Sequence, residues 1–338
     1  MIRFDNRAAF AAALADLPVP DTSAIAAAAE RQAALTKPAG SLGRLEEIAL
    51  FMAGWQGRDR PEAQRLRAAI FAGNHGVAAR GVSAFPAEVT VQMVANFRHG
   101  GAAINALAAA CGAELAVVPL DLERPTDDIC TEAAMSETEC LAAINAGAAA
   151  VEPGLDLLLL GEMGIANSTP AAALCAQSFG GAADHWVGRG TGVDGHGLAR
   201  KAQAVTLALA LHGPHCGDAF ETLRRLSGRE IAALAGAVLA ARMLRVPVML
   251  DGFIGCAAVA PLAKDNPALT GHCLAAHMSA EAGHERLLRA LALDPLLRLD
   301  MRLGEGSGAA VATQIVRSAL AAHANMATFA EAAVAGAL

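Results

Sequence analysis

Tyrosine is absent from this chain, aromatic residues make up 4% of it and charged residues only 17%. Scarce aromatics beside abundant alanine favour close-packed helices over an all-β core. Low charge with a 54% hydrophobic fraction excludes a disordered chain. Positive charge is also in short supply: 26 Lys and Arg against 33 Asp and Glu leave a net −7. No electrostatic footprint for nucleic acid exists, so any handling of phosphate must be local. No apolar run is long enough for a bilayer; the longest clean one, near Ile231–Ala241, falls well short, and no membrane partner is expected. The seven cysteines contain no CxxC pair, and the first residues do not read as a secretory segment. Reduced thiols in a cytoplasm are the expectation. Neither a G-x-S-x-G elbow nor a P-loop lysine motif occurs, which disfavours ordinary hydrolases and kinases.

What is present is 338 residues of alternating texture, enough for one large α/β domain with or without a small one. Residues 1–60 read as helices, one opened by the capping residues Asp21-Thr-Ser and another starting near Arg44 after a break at Lys37–Gly43. From about residue 66, short apolar runs alternate with alanine-rich helices. The runs are Ala68–Ala72, Ala113–Leu120, Leu155–Leu160, Pro247–Leu250, and more weakly Cys273–His277 and Leu296–Met301. Such runs, separated by helix-length spacers, predict a parallel sheet with helices on both sides. Polar or glycine-rich turns follow most of them, and in open α/β sheets ligands bind beyond the carboxyl ends of the strands. An enzyme or small-molecule binder fits better than a scaffold.

Arg302-Leu-Gly-Glu-Gly-Ser-Gly-Ala-Ala310 concentrates the chemistry: Glu305 sits between glycines just before a helical pattern. It reads either as a general base in a turn open to ligand or as a carboxylate facing a helix N-terminus. A dinucleotide fingerprint over Gly304–Ala309 is weak, because no second strand and no well-placed acidic residue follow. Gly161–Pro170 reads as strand, glycine turn and helix start, a place where backbone N–H groups cradle anions or where a helix is merely capped. Lys201 follows the loop Gly188–Asp194 and reads more readily as a solvated lysine than as a phosphate partner. Among ten histidines, His212 and His215 are the tightest pair and lack a third ligand, His284 reads as a helix-surface residue, and no metal is expected.

Several segments together resemble the nicotinate-nucleotide–dimethylbenzimidazole phosphoribosyltransferase family. They are Lys37–Glu46, Asn74-His-Gly-Val77 with Gly81-Val-Ser83, Gly161–Ala173, Leu250-Asp-Gly-Phe253, His277-Met-Ser-Ala-Glu281 and Arg302–Ala310. The resemblance runs through nearly the whole chain. It implies phosphoribosyl transfer from nicotinate mononucleotide to 5,6-dimethylbenzimidazole, giving α-ribazole 5′-phosphate and nicotinate, in assembly of the cobalamin nucleotide loop. It implies Glu305 as catalytic base, and Glu162, Gly164, Ile165, Lys201 and Ser279 near the ribose phosphate and the reacting centre. The segment with Ser83 and Phe85 falls where relatives line the base pocket. Also implied are a Rossmann-like parallel sheet in a large domain over 61–310, a small helical domain from 1–60 plus 311–338, a homodimer, and no metal or redox cofactor.

Overall fold

A computed structural model describes residues 2–190 and 192–335. Thr191 of the Gly188–Asp194 loop and the last three residues of the segment 311–338 lie outside them. The described residues form an all-parallel six-stranded sheet in the order β2-β1-β3-β4-β5-β6. Its strands are β1 (Leu66–Ala72), β2 (Glu114–Pro119), β3 (Leu157–Met163), β4 (Val248–Leu250), β5 (Cys273–His277) and β6 (Pro295–Leu297). The α/β expectation holds, and the apolar runs fall on the strands. Boundaries differ: β1 begins at Leu66, β3 begins at Leu157 and runs past Leu160 to Met163, and the run Leu296–Met301 is strand only to Leu297. Its pairing with β5 stops there, and further on Asp300 takes a left-handed backbone (φ 54°).

The helices before β2 are α1 (Arg7–Ala15), α2 (Thr22–Ala34), α3 (Arg44–Gln56), α4 (Glu88–His99) and α5 (Ala103–Cys111). Between β2 and β4 lie α6 (Glu137–Ala149), α7 (Ser168–Phe179), α8 (Gly195–His212), α9 (Ala219–Leu226) and α10 (Arg229–Met243). The rest are α11 (Phe253–Ala258), α12 (Ala260–Asp265), α13 (His284–Ala290) and α14 (Ser307–Asn325). Local chemistry sets their ends: Asp21 accepts from the amides of Ser23 and Ala24 to cap α2, and Ser136 with Glu139 forms a capping box on α6.

Strand periodicity divides the core in two. Ala69, Phe71, Leu158, Leu160, Val248 and Leu250 face a layer that includes α6, α7 and α10. Alternate residues Ala68, Ile70, Leu157, Leu159 and Met249 face α3, α5 and α14. Both chain ends contribute to the second layer. Ile48 and Met52 of α3 share its cluster with Val316 of α14, and Arg31 of α2 donates to the carbonyls of His323, Ala324 and Met326. The edge strand β2 is only half-buried, unlike β1 and β3.

Helices α6 and α10 cross backbone to backbone at Gly147 and Gly236. A Cβ added to Gly236 would stand 2.7 Å from the carbonyl carbon of Ile144, a backbone atom that cannot swing aside. Gly236→Ala therefore loses more to overlap than it gains in helix propensity, about 1–3 kcal/mol net. Urea unfolding should show a lower midpoint with an unchanged slope; a midpoint at or above wild type would contradict this packing.

Candidate active site

A cleft with about 900 Å³ between its walls, mouth included, opens beyond the carboxyl ends of β3, β4 and β5. Glu162, Ile165, Lys201, Asp251, Ser279 and Gly304 stand on its walls.

Gly304, Glu305 and Gly306 are three consecutive left-handed residues, with φ of 82°, 63° and 77°. For a glutamate this costs on the order of 1–2 kcal/mol, so neighbours must enforce it. Strand β3 does so from below: the Glu305 amide donates to the Glu162 carbonyl (3.3 Å), and a Cβ on Gly161 would lie 2.6 Å from the Glu305 carbonyl carbon. From the side, Asp251 accepts from the amides of Gly306 (3.2 Å) and Ala309 (2.8 Å). Asp251 thereby caps α14, the task that the capping reading gave Glu305. The Glu305 side chain is 5% exposed and faces the Ile104 amide at the start of α5, and its Oε2 has no hydrogen-bond partner. Glu305 itself does not line the cleft, while its neighbours Gly304 and Glu162 do. The segment before this turn is irregular and the one after it is α14, so the dinucleotide fingerprint lacks its strand.

Carboxylates crowd this point. Burial pushes Glu162 up to about 8, although Asn167 donates to its Oε2, and the charges of Glu230, Asp251 and Glu305 add to the rise. Burial likewise lifts Asp251 to about 7 against the pull of three α14 amides, and it raises Glu305 above the ordinary carboxylate range.

Lys201 is not solvated, contrary to the expectation for a lysine after a glycine loop: it is 2% exposed. Its Nζ donates to Ser168 Oγ (2.8 Å) and the Gly188 carbonyl (3.1 Å), leaving a third proton, because α8 packs on α7 and carries the ammonium in among these acceptors. Burial lowers its pKa and Glu281 opposes the shift. The Ile165 amide donates to Thr90 Oγ1 (3.1 Å), which ties the turn Gly164–Ile165 to α4. Ser279 meets His284 Nδ1 through its amide (2.9 Å) and its hydroxyl (2.8 Å). That histidine, expected on a helix surface, is fully buried, and desolvation pushes it down to about 3. Ser83 is on the cleft wall; Phe85 is 48% exposed and outside it. Among the described residues no group of His, Cys, Asp and Glu is arranged to hold a metal ion, and no helix is long and apolar enough to cross a membrane.

Sequence reasoning placed Asp251 and Asn167 within motif segments but gave neither a role. Asp251 had a usable signal, an acid directly after an apolar run and before glycine. Asn167 had only its place in the turn Gly161–Pro170.

A family model described as phosphoribosyltransferase matches residues 17–334. The nicotinate-nucleotide–dimethylbenzimidazole phosphoribosyltransferase of Novosphingobium aromaticivorans is 65% identical over 338 residues, covering 100% of both chains. The enzyme of the same name from Mesorhizobium japonicum is 58% identical over 323 residues, 96% of each chain. This chain belongs to the nicotinate-nucleotide–dimethylbenzimidazole phosphoribosyltransferase family. The crystal structure of CobT from Thermus thermophilus superposes with a TM-score of 0.88 at 41% identity, covering 93% of this chain and 100% of that one. In this family member, then, the six-stranded sheet and its carboxylate cluster sit on a fold shared with a solved relative.

The raised carboxyls make stability depend on pH. Glu162 rises from 4.5 to about 8 and Asp251 from 3.8 to about 7, so the folded chain keeps protons that the unfolded chain releases. That contribution is full below the unfolded values of 4.5 and 3.8, declines as pH climbs above them, and is gone once pH passes the folded values of about 8 and about 7. Tm of the ligand-free protein should fall over this window. Glu162→Gln should flatten the fall and raise Tm above pH 8 by at least about 2 °C. Parallel Tm curves for the two proteins would show that Glu162 is not a buried neutral acid.

Proposed function

We propose that this chain transfers the phosphoribosyl group of nicotinate mononucleotide to 5,6-dimethylbenzimidazole, with Glu305 as the base. The reaction yields α-ribazole 5′-phosphate and nicotinate, a step in building the cobalamin nucleotide loop. One observation carries the assignment of the base: a buried carboxylate with an unpartnered oxygen, held in a left-handed turn beside the cleft.

The residue types match the bonds that change. Nicotinate leaves C1′ as a neutral ring nitrogen, so no general acid is required. The incoming azole attacks with one nitrogen and must lose the proton on the other. A carboxylate at that N–H orients the ring, offsets the positive charge that grows on attack and takes the proton. Attack from the face opposite the leaving group inverts C1′ from β to α. Glu162 and Glu305 divide the labour as paired carboxyls do when their environments differ: Glu162, neutral below about pH 8, offers an O–H to the ribose, and Glu305 works ionised. The azole reaches Glu305 from the Ser83 side, with Phe85 at the rim of its pocket. Lys201 gives its free proton to the phosphate, with the Gly164–Ile165 turn and Ser279 along the ribose. We further place the enzyme in the cytoplasm as a homodimer without nucleic-acid partners, on the seven free cysteines, the net −7 charge and the exposed apolar residues Leu299 and Leu303.

Incubation with nicotinate mononucleotide and dimethylbenzimidazole should release nicotinate and α-ribazole 5′-phosphate in equal amounts; nicotinate released without the azole would mean a hydrolase. Glu305→Gln should keep nucleotide affinity and lower turnover by about 10²–10⁴-fold. Unchanged turnover would remove Glu305 from the mechanism. In the wild type, kcat/KM should rise with pH along an acid limb above 4.5, as the raised Glu305 ionises, and fall as Glu162 loses its proton near about 8. Lys201→Ala should weaken nucleotide binding about 10–100-fold, the loss of a charged hydrogen bond, and alter the bound reaction less. An unchanged affinity would place the phosphate elsewhere.

A further inference from the structure

Ser279 is held to the cleft by a side chain that does not itself line it. Beyond β5 the backbone amides alternate sides. Met278 donates to the Leu297 carbonyl (2.9 Å) and Ala280 to the Met301 carbonyl (3.0 Å), both on the side of β6. The Ser279 amide between them faces the other way, where the pairing with β4 has already ended at Leu250 opposite Ala275. A buried amide in that place needs an acceptor. His284, the first residue of α13, supplies it: Nδ1 is 2.9 Å from the Ser279 amide nitrogen and 2.8 Å from the Ser279 hydroxyl. On the far side of the ring, Nε2 stands 3.4 Å from Sγ of Cys256 in α11. Phe253 and His277, which do line the cleft, meet the same ring edge to face with centroids at 6.3 Å.

These contacts fix the protons of the ring. A backbone N–H can only donate, so Nδ1 is bare, and the proton of the neutral imidazole is on Nε2, donated to Cys256 Sγ. His284 therefore brings no charge to the cleft; it brings an acceptor at one fixed place. The amide alone satisfies the lone pair of Nδ1, so the Ser279 hydroxyl keeps a proton that it can turn to a ligand. An apolar side chain of the same volume would fill the space but leave the amide unpaired, and the segment would shift to find another acceptor. We propose that His284, anchored by Cys256, is a positioning residue for nucleotide binding: it stands in for the missing strand neighbour of Ser279 and holds that hydroxyl at the cleft wall without touching substrate. The proposal rests on the transferase reading above, since the ligand concerned is the phosphoribosyl end of nicotinate mononucleotide.

Two substitutions in the full chain separate hydrogen bonding from packing, because their polar atoms fall at different ends of the ring. In His284→Asn the side-chain oxygen takes the place of Nδ1 and still accepts from Ser279. In His284→Gln the side-chain amide reaches the place of Nε2 and leaves Ser279 without an acceptor. Calorimetric affinity for nicotinate mononucleotide should fall about tenfold or more in His284→Gln and stay within about threefold of wild type in His284→Asn. KM for the nucleotide should rise in His284→Gln by more than kcat falls. Space filling alone predicts the reverse ranking, since glutamine is nearer to histidine in volume. Nitrogen NMR of the wild type at neutral pH gives a reading without substrate: His284 should show a bare Nδ1 and a protonated Nε2. A protonated Nδ1, an unchanged affinity in His284→Gln, or a loss in His284→Asn as large as in His284→Gln overturns the proposal. Should His284→Gln fail to fold, the spectrum and the His284→Asn affinity decide. A wild type that binds the nucleotide yet makes no ribazole phosphate sinks the transferase reading instead, while the ranking of the two variants still tests His284.

Discussion

The turn Gly304–Glu305–Gly306 rests directly on strand β3, and the arrangement of the cleft depends on that contact. Gly161 has no side chain, so the turn can approach within bonding distance of β3, and the Glu305 amide reaches the Glu162 carbonyl. A side chain at 161 would lift the turn and with it the carboxylate that follows Gly304. The contact also forces three left-handed residues in succession, a conformation that one non-glycine residue holds only because Asp251 and β3 fix both sides. Two distant stretches of sequence, Gly161-Glu162 and Gly304–Gly306, thus form a single structural unit.

Electrostatics follow from the same packing. Bringing Glu162, Asp251 and Glu305 to one sheet edge under buried conditions raises all three carboxyls, and Glu162, pushed to about 8, keeps a proton that it would lose in water. A neutral acid beside an ionised base is a workable division for transfer to an azole. The departing ring needs no proton, the incoming ring must lose one, and the cationic reacting centre is served by a nearby negative charge. Lys201, a buried cation of this cleft, bonds the Ser168 hydroxyl and the Gly188 carbonyl and none of these three carboxyls. That separation suits a substrate with a phosphate at one end and a cationic ring at the other.

Much of the architecture was legible in the sequence because it follows from periodicity. Short apolar runs spaced by helices became six parallel strands, and their glycine-rich ends became the cleft. Glu305 stood out through its glycine neighbours. Burial was harder to read, since it depends on what packs from elsewhere in the chain. Lys201 read as solvated because nothing nearby in sequence revealed Ser168 and Gly188 as its acceptors. His284 read as a surface residue because Cys256 and Phe253 of α11, which pack against its ring, lie 28 or more residues earlier in the chain. Asp251 went unassigned because its partners, the amides of α14, lie more than fifty residues away. The shortened last strand shows the same limit: the composition of the run would have carried on, but its pairing with β5 stops at Leu297.

The central claim is that the acceptor ring meets Glu305, which does not itself line the cleft although Glu162 and Gly304 do. A crystal structure with dimethylbenzimidazole bound tests this most directly. The account predicts a ring nitrogen at hydrogen-bond distance, about 2.6–3.2 Å, from Glu305 Oε2, with the ring's other nitrogen turned toward the ribose site between Glu162 and Lys201. A bound ring whose nitrogens meet other groups, with Glu305 still turned to the Ile104 amide, would contradict it.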